Sequence, residues 1–320
     1  MLLPHTTDLQ ATAPGIAIAL DEVGVLGIVR GIVVNGSPTT ATFDVAIQLD
    51  ASSRGAHMSR FHEAIDSALA LIGDDGADVP GLELLATVVA SQAAELQGAQ
   101  HARASVRATL AWPRVAPASG RRTIDPFTTW ATVAVDRAAL RTTVTVGVQA
   151  VGMTACPCAQ NLVRDAAVER MRAEGLDETT ITTALDCLPV ATHNQRSTGT
   201  LELTVPGDGA VAAIASPGTL ADLVRGSMSA NIHELLKRGD ELAVVEAAHD
   251  DPRFVEDCVR ALVRDTLLHP ELAALPDQAT ISVRQVNHES IHAHDVAAGR
   301  AGTVAVLRRE LDLADPPAPA

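Results

Sequence analysis

The sequence predicts an α+β protein built from two units of similar organisation. Segments rich in β-branched residues indicate strands, and segments in which apolar residues recur at three- and four-residue spacing indicate helices. Two strands, two helices and two strands follow one another in the first half, and a similar order recurs in the second half. With 320 residues, 47% of them apolar, the chain can bury the cores of two such units or of one large domain.

The first predicted unit covers residues 15–136. It opens with a hairpin, because two β-branched segments flank Asn35-Gly36-Ser37-Pro38, which is a typical turn sequence. Two helical patterns and two further strand patterns follow. The predicted elements are strands 23–34 and 39–49, helices 58–72 and 81–96, and strands 104–112 and 130–136.

The second predicted unit covers residues 137–312. A helical insertion at residues 160–188, rich in Ala, Arg, Glu and Met and broken at Gly175, separates its first two strands. The Pro-rich residues 313–320 are expected to form a disordered tail. The predicted elements are strands 140–152 and 198–205, helices 217–236 and 251–268, and strands from 279–286 onward.

Composition restricts the function to classes that bind small ligands. The formal net charge of -15 disfavours nonspecific binding to a polyanion. Aromatic residues make up 2% of the chain and Tyr is absent, so a base-stacking nucleic-acid platform has few side chains to use. Phosphate groups would have to be held locally, by a few Arg or Lys side chains in one cleft.

Compartment signals point to the cytoplasm and away from a membrane. Residues 1–14 lack the basic flank and apolar run of a signal peptide, and no segment approaches the roughly 20 apolar residues that span a bilayer. In a reducing compartment the cysteines are expected to be thiols or metal ligands rather than disulfides. They are Cys156, Cys158, Cys187 and Cys258.

The sharpest local motif is Cys-Pro-Cys at 156–158, where a predicted strand ends, with His-Asn-Gln-Arg at 193–196 just before the next strand. Thiolate and imidazole are common ligands of zinc and are tolerated by iron or manganese, and a catalytic site needs three protein ligands with one open position. The two segments therefore predict a metal site. The alternative is that the cysteines are buried apolar thiols and His193 caps a strand.

A second cluster packs three histidines and a carboxylate into residues 287–294, which read Asn-His-Glu-Ser-Ile-His-Ala-His. On a strand, Glu289 and His292 would point to opposite faces, whereas a turn could bring them together. Together they could supply the general acid and base of a multistep hydrolysis. The alternative is a solvated polar loop.

Two further segments carry charges suited to a nucleotide. Lys237, the only lysine, and Arg238 precede Glu246. Glu246 follows two valines directly before a predicted helix, so its half-buried carboxylate could accept hydrogen bonds from the N–H groups of a ligand. Residues 54–61, Arg-Gly-Ala-His-Met-Ser-Arg-Phe, join a strand to a helix, which suits phosphate binding by main-chain N–H groups and arginines. The alternative for Lys237 and Arg238 is a solvated helix end, and for Glu246 an ordinary acid at a helix start. The alternative for residues 54–61 is a capped helix with surface arginines.

Taken together, these segments resemble the type IB GTP cyclohydrolases. That family carries, in the order found here, Arg-Gly-x-His-Met-Ser-Arg, Cys-Pro-Cys, His-Asn-Gln-Arg, Leu-Lys-Arg-x-Asp-Glu, Phe-Val-Glu-Asp and Glu-Ser-Ile-His. The resemblance implies a tunnelling fold (T-fold) of two tandem units, each an antiparallel four-stranded sheet with two helices, assembled into a homo-oligomeric barrel that we expect to be a tetramer. The motifs occupy residues 54–60, 156–158, 193–196, 236–241, 254–257 and 289–292.

The resemblance also implies roles for individual residues. A divalent metal, Zn, Mn or Fe, would be bound by Cys156 and His193, with the third ligand open between Asn231, Glu234 and His292. The implied catalytic residues, which line the reacting end, are Cys156, Glu289 and His292. The implied substrate-binding residues, among which Glu246 anchors the guanine edge, are His57, Arg60, Gln195, Arg196, Lys237, Arg238 and Glu246.

The implied reaction converts GTP and water into formate and 7,8-dihydroneopterin triphosphate, the first step of tetrahydrofolate biosynthesis. Three alternatives stay open: an archaeal-type GTP cyclohydrolase that yields a cyclic phosphate, a nitrile reductase with a covalent cysteine and a nicotinamide cofactor, and a noncatalytic purine-binding protein. A metal-binding Cys/His pair disfavours the reductase. The spacing between Cys156 and His193 exceeds that of the family, which marks residues 160–188 as an insertion.

Overall fold

The computed structural model describes residues 8–72, 78–207 and 215–313, in which groups of strands and groups of helices follow one another. The strands are β1 Leu20–Val34, β2 Ser37–Leu49, β3 His101–Val115, β4 Arg122–Asp136, β5 Arg141–Ala155, β6 Asn194–Gly207, β7 Thr280–Asn287 and β8 Val296–Thr303. The helices are α1 Met58–Ile72, α2 Leu82–Gln97, α3 Pro157–Ala173, α4 Glu178–Cys187, α5 Pro217–Gly226, α6 Arg238–Asp250, α7 Val255–Leu268 and α8 Val304–Glu310. The predicted disordered tail lies outside the described residues from residue 314 onward.

The strands β1 to β8 form one sheet in which neighbours follow chain order, and the pairs β1–β2, β2–β3 and β7–β8 are antiparallel. The predicted T-fold of two tandem four-stranded sheets is therefore wrong. The reason lies in the short turn from β4 to β5, where the Ala139 N–H donates to Asp136 Oδ1 at 2.9 Å and Leu140 adopts a φ of 51°. This tight hairpin continues the hydrogen-bonded ladder at the point where the prediction ends the first sheet.

The chain folds as two compact units made of interleaved segments. Unit 1 comprises Met1–Leu110, Thr128–Gly147 and Thr204–Ala213, and unit 2 comprises Ala111–Phe127, Val148–Leu203 and Ile214–Ala320. In unit 1, α1 and α2 pack on each other and against β2, around the buried side chains of Phe43, Phe61 and Leu85. Burial of such side chains contributes about 1.5–3 kcal/mol each, so this face supplies the core of unit 1.

The core of unit 2 forms where α7 packs against β7, β8 and α5. Leu220, Leu262 and Ile281 are buried at these contacts. The start of α5 lies so close to Trp112 that a Cβ at Gly218 would come within 2.0 Å of the indole. Only glycine permits this approach of backbone to ring.

The helical segments differ from the prediction after residue 226, where α6 and α8 are also unpredicted. The predicted helix 217–236 ends at Gly226, and α6 is not among the predicted helices. The cause is tertiary pairing, because Ala230 and Met153 of β5 exchange backbone hydrogen bonds of 2.9 and 3.1 Å. These bonds supply strand-like partners that outweigh local helix propensity. The insertion itself forms α3 and α4, separated by Gly175 at a φ of 79°.

Asp240, in the first turn of α6, is fully buried and accepts four hydrogen bonds. Its donors are the N–H groups of Ala118 (2.9 Å), Ser119 (2.7 Å) and Lys237 (2.9 Å) and the Ser119 hydroxyl (2.8 Å). The Ser119 N–H is the largest cause that holds the pKa of the Asp240 carboxyl well below its usual range. The carboxylate of the Leu-Lys-Arg-x-Asp-Glu motif therefore joins the β3–β4 loop to the start of α6.

In the part of the chain that the structure describes, no helix is both long and apolar enough to cross a membrane. The four cysteines are free thiols. Burial raises the pKa of the Cys258 thiol to about 12. This cysteine therefore stays protonated and packs as an apolar side chain.

Candidate active site

Cys156 stands where β5 ends and α3 begins. It is the N-cap residue of α3, and Pro157 takes the first helical position, where its missing N–H has no role. The Ala159 N–H donates to Cys156 Sγ at 3.5 Å, and the Cys156 N–H donates to the His193 carbonyl oxygen at 3.2 Å. The two predicted metal ligands are thus neighbours at one end of the adjacent strands β5 and β6.

The His193 imidazole contacts three polar side chains. Its Nδ1 lies 3.2 Å from Gln195 Oε1, 3.5 Å from Ser290 Oγ and 3.9 Å from Glu289 Oε2. The side chains of His193 and Glu289 are 13% and 8% exposed, so both lie in a recess that excludes most water. A carboxylate in this position can take up and return a proton during a reaction.

Buried polar side chains run from this recess across β5, β6 and β7. Gln195 Nε2 donates to Glu289 Oε1 at 3.3 Å and to Thr154 Oγ1 at 3.1 Å. Thr154 Oγ1 lies 2.8 Å from Ser197 Oγ, which donates to Asn287 Oδ1 at 2.9 Å. We call these five residues the polar chain. Its hydrogen bonds hold the strand ends that carry the candidate site in one arrangement.

Three members of the polar chain have no role assigned to them from the sequence: Thr154, Ser197 and Asn287. A signal for them is present in the strand pattern. On β6, the polar residues Gln195 and Ser197 occupy the buried positions that alternate with exposed ones. Polar side chains at core-facing positions require partners, so such a pattern indicates a buried hydrogen-bond network.

The predicted acid–base pair occupies two different environments. Glu289 reaches the recess beside His193. His292 lies on the exposed turn between β7 and β8, where its ring stacks on that of His294 with centroids 5.4 Å apart. The structure therefore places the carboxylate at the candidate site and the imidazole of His292 in solvent.

The donor set at the strand ends suits a divalent metal, because thiolate and imidazole are standard ligands. Of the three candidates for the third ligand, Asn231 has a buried Oδ1 with no hydrogen-bond partner, whereas Glu234 and His292 are exposed. Within the described residues, no three His, Cys, Asp or Glu side chains lie close enough to hold a metal ion. A third ligand of another type, such as the Asn231 amide oxygen, is compatible with this finding.

A polar cavity of about 450 Å³ lies between α3, α6 and the segment that follows α4. Glu246 lines it from the middle of α6, where its side chain is exposed, and Arg164 lines it from the insertion. Gln160 Nε2 holds one wall together by donating to the carbonyl oxygens of Val190 at 2.9 Å and His249 at 2.7 Å. Glu246 thus lies inside a helix, and not just before one as the sequence predicts.

The candidate phosphate-binding residues are divided between the two units. His57 and Arg60, at the start of α1, belong to unit 1. The His57 Nε2 is already engaged, since it lies 3.1 Å from both carboxylate oxygens of Asp8. The other three candidates are exposed residues of unit 2, namely Arg196, Lys237 and Arg238.

Two solved structures of uricases are similar to this chain at low identity. The uricase from Arthrobacter globiformis shares 9% identity at a TM-score of 0.45, covering 88% of this chain and 93% of that one. The uricase from Bacillus fastidious shares 11% identity at a TM-score of 0.46, covering 94% and 99%.

Sequence relatives are much more similar. The GTP cyclohydrolase MptA of Methanocorpusculum labreanum is 36% identical over 316 residues, covering 96% of this chain and 99% of that protein. The GTP cyclohydrolase MptA of Methanococcus aeolicus is 34% identical over 313 residues, covering 95% and 99%. The profile of the family described as type I GTP cyclohydrolase folE2 matches residues 6–298, which include Cys156, His193, Gln195 and Glu289. Because this match spans nearly the whole chain, the protein belongs to the type I GTP cyclohydrolase folE2 family.

Proposed function

We propose that this protein is a GTP cyclohydrolase, a hydrolase that opens the guanine ring of GTP and releases C8 as formate. The observation that carries the proposal is the recess at the ends of β5, β6 and β7. There the Cys156 N–H donates to the His193 carbonyl oxygen and the His193 imidazole lies beside Glu289, within a chain that matches the family over residues 6–298. The family match supports the predicted GTP cyclohydrolase family. It does not distinguish the type IB subclass within that family.

The relatives favour the archaeal-type reaction over the dihydroneopterin triphosphate reaction. The GTP cyclohydrolases MptA cover 95–96% of this chain at 34–36% identity. We therefore infer that the product carries a cyclic phosphate, as the archaeal-type alternative implies. Such a product forms when a sugar hydroxyl attacks the phosphate nearest the sugar and displaces pyrophosphate. Release of pyrophosphate with formate is accordingly the expected signature.

A divalent metal, Zn, Mn or Fe, is part of the proposal. Cys156 and His193 would hold it, with the buried Asn231 oxygen as the favoured third ligand. A bound metal would activate water for attack at C8 of the guanine base. Around it, Glu289 is placed to move protons within the recess. His292 would join it only if the β7–β8 turn closes over the substrate.

Substrate contacts follow the resemblance. Glu246, from its position in the polar cavity, would accept hydrogen bonds from the guanine edge. Cationic side chains would hold the phosphates against the overall charge of -15. The cationic candidates are Arg60, Arg196, Lys237 and Arg238, and the resemblance adds His57 to the substrate-binding residues. A homotetramer and a cytoplasmic location remain predictions.

The test of the function is product analysis with purified protein, added Zn²⁺, Mn²⁺ or Fe²⁺, and GTP. We expect formate, pyrophosphate and a fluorescent pterin after oxidation. Formate and pterin without pyrophosphate would assign the triphosphate product instead. GTP binding without formate under all three metals would contradict the enzyme assignment and favour a noncatalytic purine-binding protein.

Glu246→Gln is expected to weaken GTP binding and leave folding unchanged. A carboxylate accepts two N–H bonds from guanine, whereas an amide presents a donor to one of them, and the mismatch costs roughly 2 kcal/mol. Calorimetric titration of the metal-loaded protein with GTP measures the change. Asp250→Asn, a second acid lining the same cavity, is the matched control. Equal affinity in wild type and Glu246→Gln would show that guanine is recognised elsewhere.

A further inference from the structure

Gln195 joins the two groups that the proposed reaction needs. Its side chain is buried, with the residue 7% exposed. Its Oε1 lies 3.2 Å from His193 Nδ1, and its Nε2 donates to Glu289 Oε1 at 3.3 Å and to Thr154 Oγ1 at 3.1 Å. An amide nitrogen carries two hydrogens, and both are engaged. Gln195 therefore has no free donor for a substrate.

The neighbours of Gln195 decide which amide atom faces which partner. On the Glu289 side, the amide nitrogen lies 3.3 Å from Glu289 Oε1, and a carboxylate oxygen accepts the bond from an amide N–H. At the other end, the Ser197 hydroxyl donates to Asn287 Oδ1, so it accepts from the Thr154 hydroxyl, which in turn accepts from Gln195. Both arguments leave the Gln195 oxygen, an acceptor, facing the imidazole.

We propose that Gln195 is a positioning residue that holds His193 in the tautomer protonated at Nδ1 and anchors the Glu289 carboxylate beside it. An acceptor 3.2 Å from Nδ1 requires the hydrogen on that nitrogen. The lone pair then resides on Nε2, the only ring nitrogen able to bind a metal or take a proton. This role replaces the substrate contact that the resemblance implies for Gln195.

The positioning role rests on the proposed function in one respect, because the metal at His193 belongs to that proposal. The tautomer does not depend on it. The orientation of Gln195 follows from hydrogen bonds within unit 2 alone, so it is testable in metal-free protein without GTP.

The first test is the tautomer of His193 in the metal-free, full-length wild-type protein. Two-dimensional ¹⁵N–¹H NMR of the histidine side chains distinguishes the two forms, and His193→Gln assigns the signal among the 11 histidines. We expect hydrogen on Nδ1. Hydrogen mainly on Nε2 would overturn the proposal, and this measurement needs no variant of Gln195 to fold.

The second test compares Zn²⁺ affinity, measured by chelator competition, in Gln195→Leu and in Gln149→Leu. The control replaces an exposed glutamine of β5 that donates to Thr200 of β6, on the same strand pair but outside the polar chain. We expect Zn²⁺ affinity to fall roughly 10–100-fold in Gln195→Leu and to stay within about twofold in the control. Unchanged Zn²⁺ affinity with a raised KM for GTP would instead make Gln195 a substrate contact and overturn the proposal.

Gln195→Glu provides a variant with the same shape if the leucine variant does not fold. It retains an acceptor for His193 Nδ1, so the Nδ1–H tautomer should persist, and its loss would contradict the proposal. Absence of formate release together with the expected tautomer and Zn²⁺ results would count against the GTP cyclohydrolase proposal and still support the positioning role.

Discussion

Cys156→Ala is expected to reduce GTP turnover to background and to remove most of the bound metal. Thiolate is the softest donor at the candidate site, and its loss leaves His193 and the Asn231 amide oxygen as the proposed ligands. The fall in formate release should exceed roughly 100-fold, the upper range for residues that only support a ligand. Formate release and metal content per chain, after purification with added metal, measure the two effects.

The fold should survive this substitution. The Cys156 N–H still donates to the His193 carbonyl oxygen, and the loss of the Sγ acceptor at the start of α3 costs about 1 kcal/mol. Cys158→Ala is the matched control, because Cys158 is an exposed thiol in the first turn of the same helix. Full activity with full metal occupancy in Cys156→Ala would refute the metal assignment.

Asp240→Ala is expected to destabilise unit 2 and lower the midpoint of thermal unfolding by roughly 5–10 °C. The substitution removes the buried carboxylate that accepts from the N–H groups of Ala118, Ser119 and Lys237. Circular dichroism during heating measures the midpoint. Glu241→Ala, at the next and exposed position of the same helix, is the control. Equal midpoints in the two variants would contradict the structural role of Asp240.

Asp240→Asn tests how the stability contributed by Asp240 depends on pH. The sign of this dependence follows from the lowered pKa of the Asp240 carboxyl. Hydrogen bonds, the Ser119 N–H first, place the pKa of the folded Asp240 carboxyl below its unfolded value, against the opposing effect of desolvation. Its stabilisation is then complete above the unfolded pKa and is lost as pH falls through the folded one. The stability difference between wild type and Asp240→Asn should stay constant near neutrality and shrink below about pH 4. A difference that grows on acidification would contradict this.

Much of the candidate site is predictable from the sequence because its groups flank recognisable strand ends. Cys156 follows β5 and His193 precedes β6, and adjacent antiparallel strands bring such ends together despite the long insertion. Glu246 is less predictable. Two preceding valines indicate a half-buried helix start, yet α6 begins at Arg238 and leaves Glu246 exposed. The start of α6 depends on the Asp240 bonds to a loop 121 and 122 residues earlier in the chain.

The sequence by itself determined most of the strands and helices, the negative net charge and low aromatic content, and membership of a GTP cyclohydrolase family. These properties depend on residues a few positions apart or on composition. Only the tertiary structure decided that the strands share one sheet, that Asp240 is structural and that Gln195 is committed to His193 and Glu289. Each of these depends on contacts between distant residues, such as the 94 positions that separate Gln195 from Glu289. Hydrogen-bond partners at that separation are selected by packing of the whole unit, which no local pattern encodes.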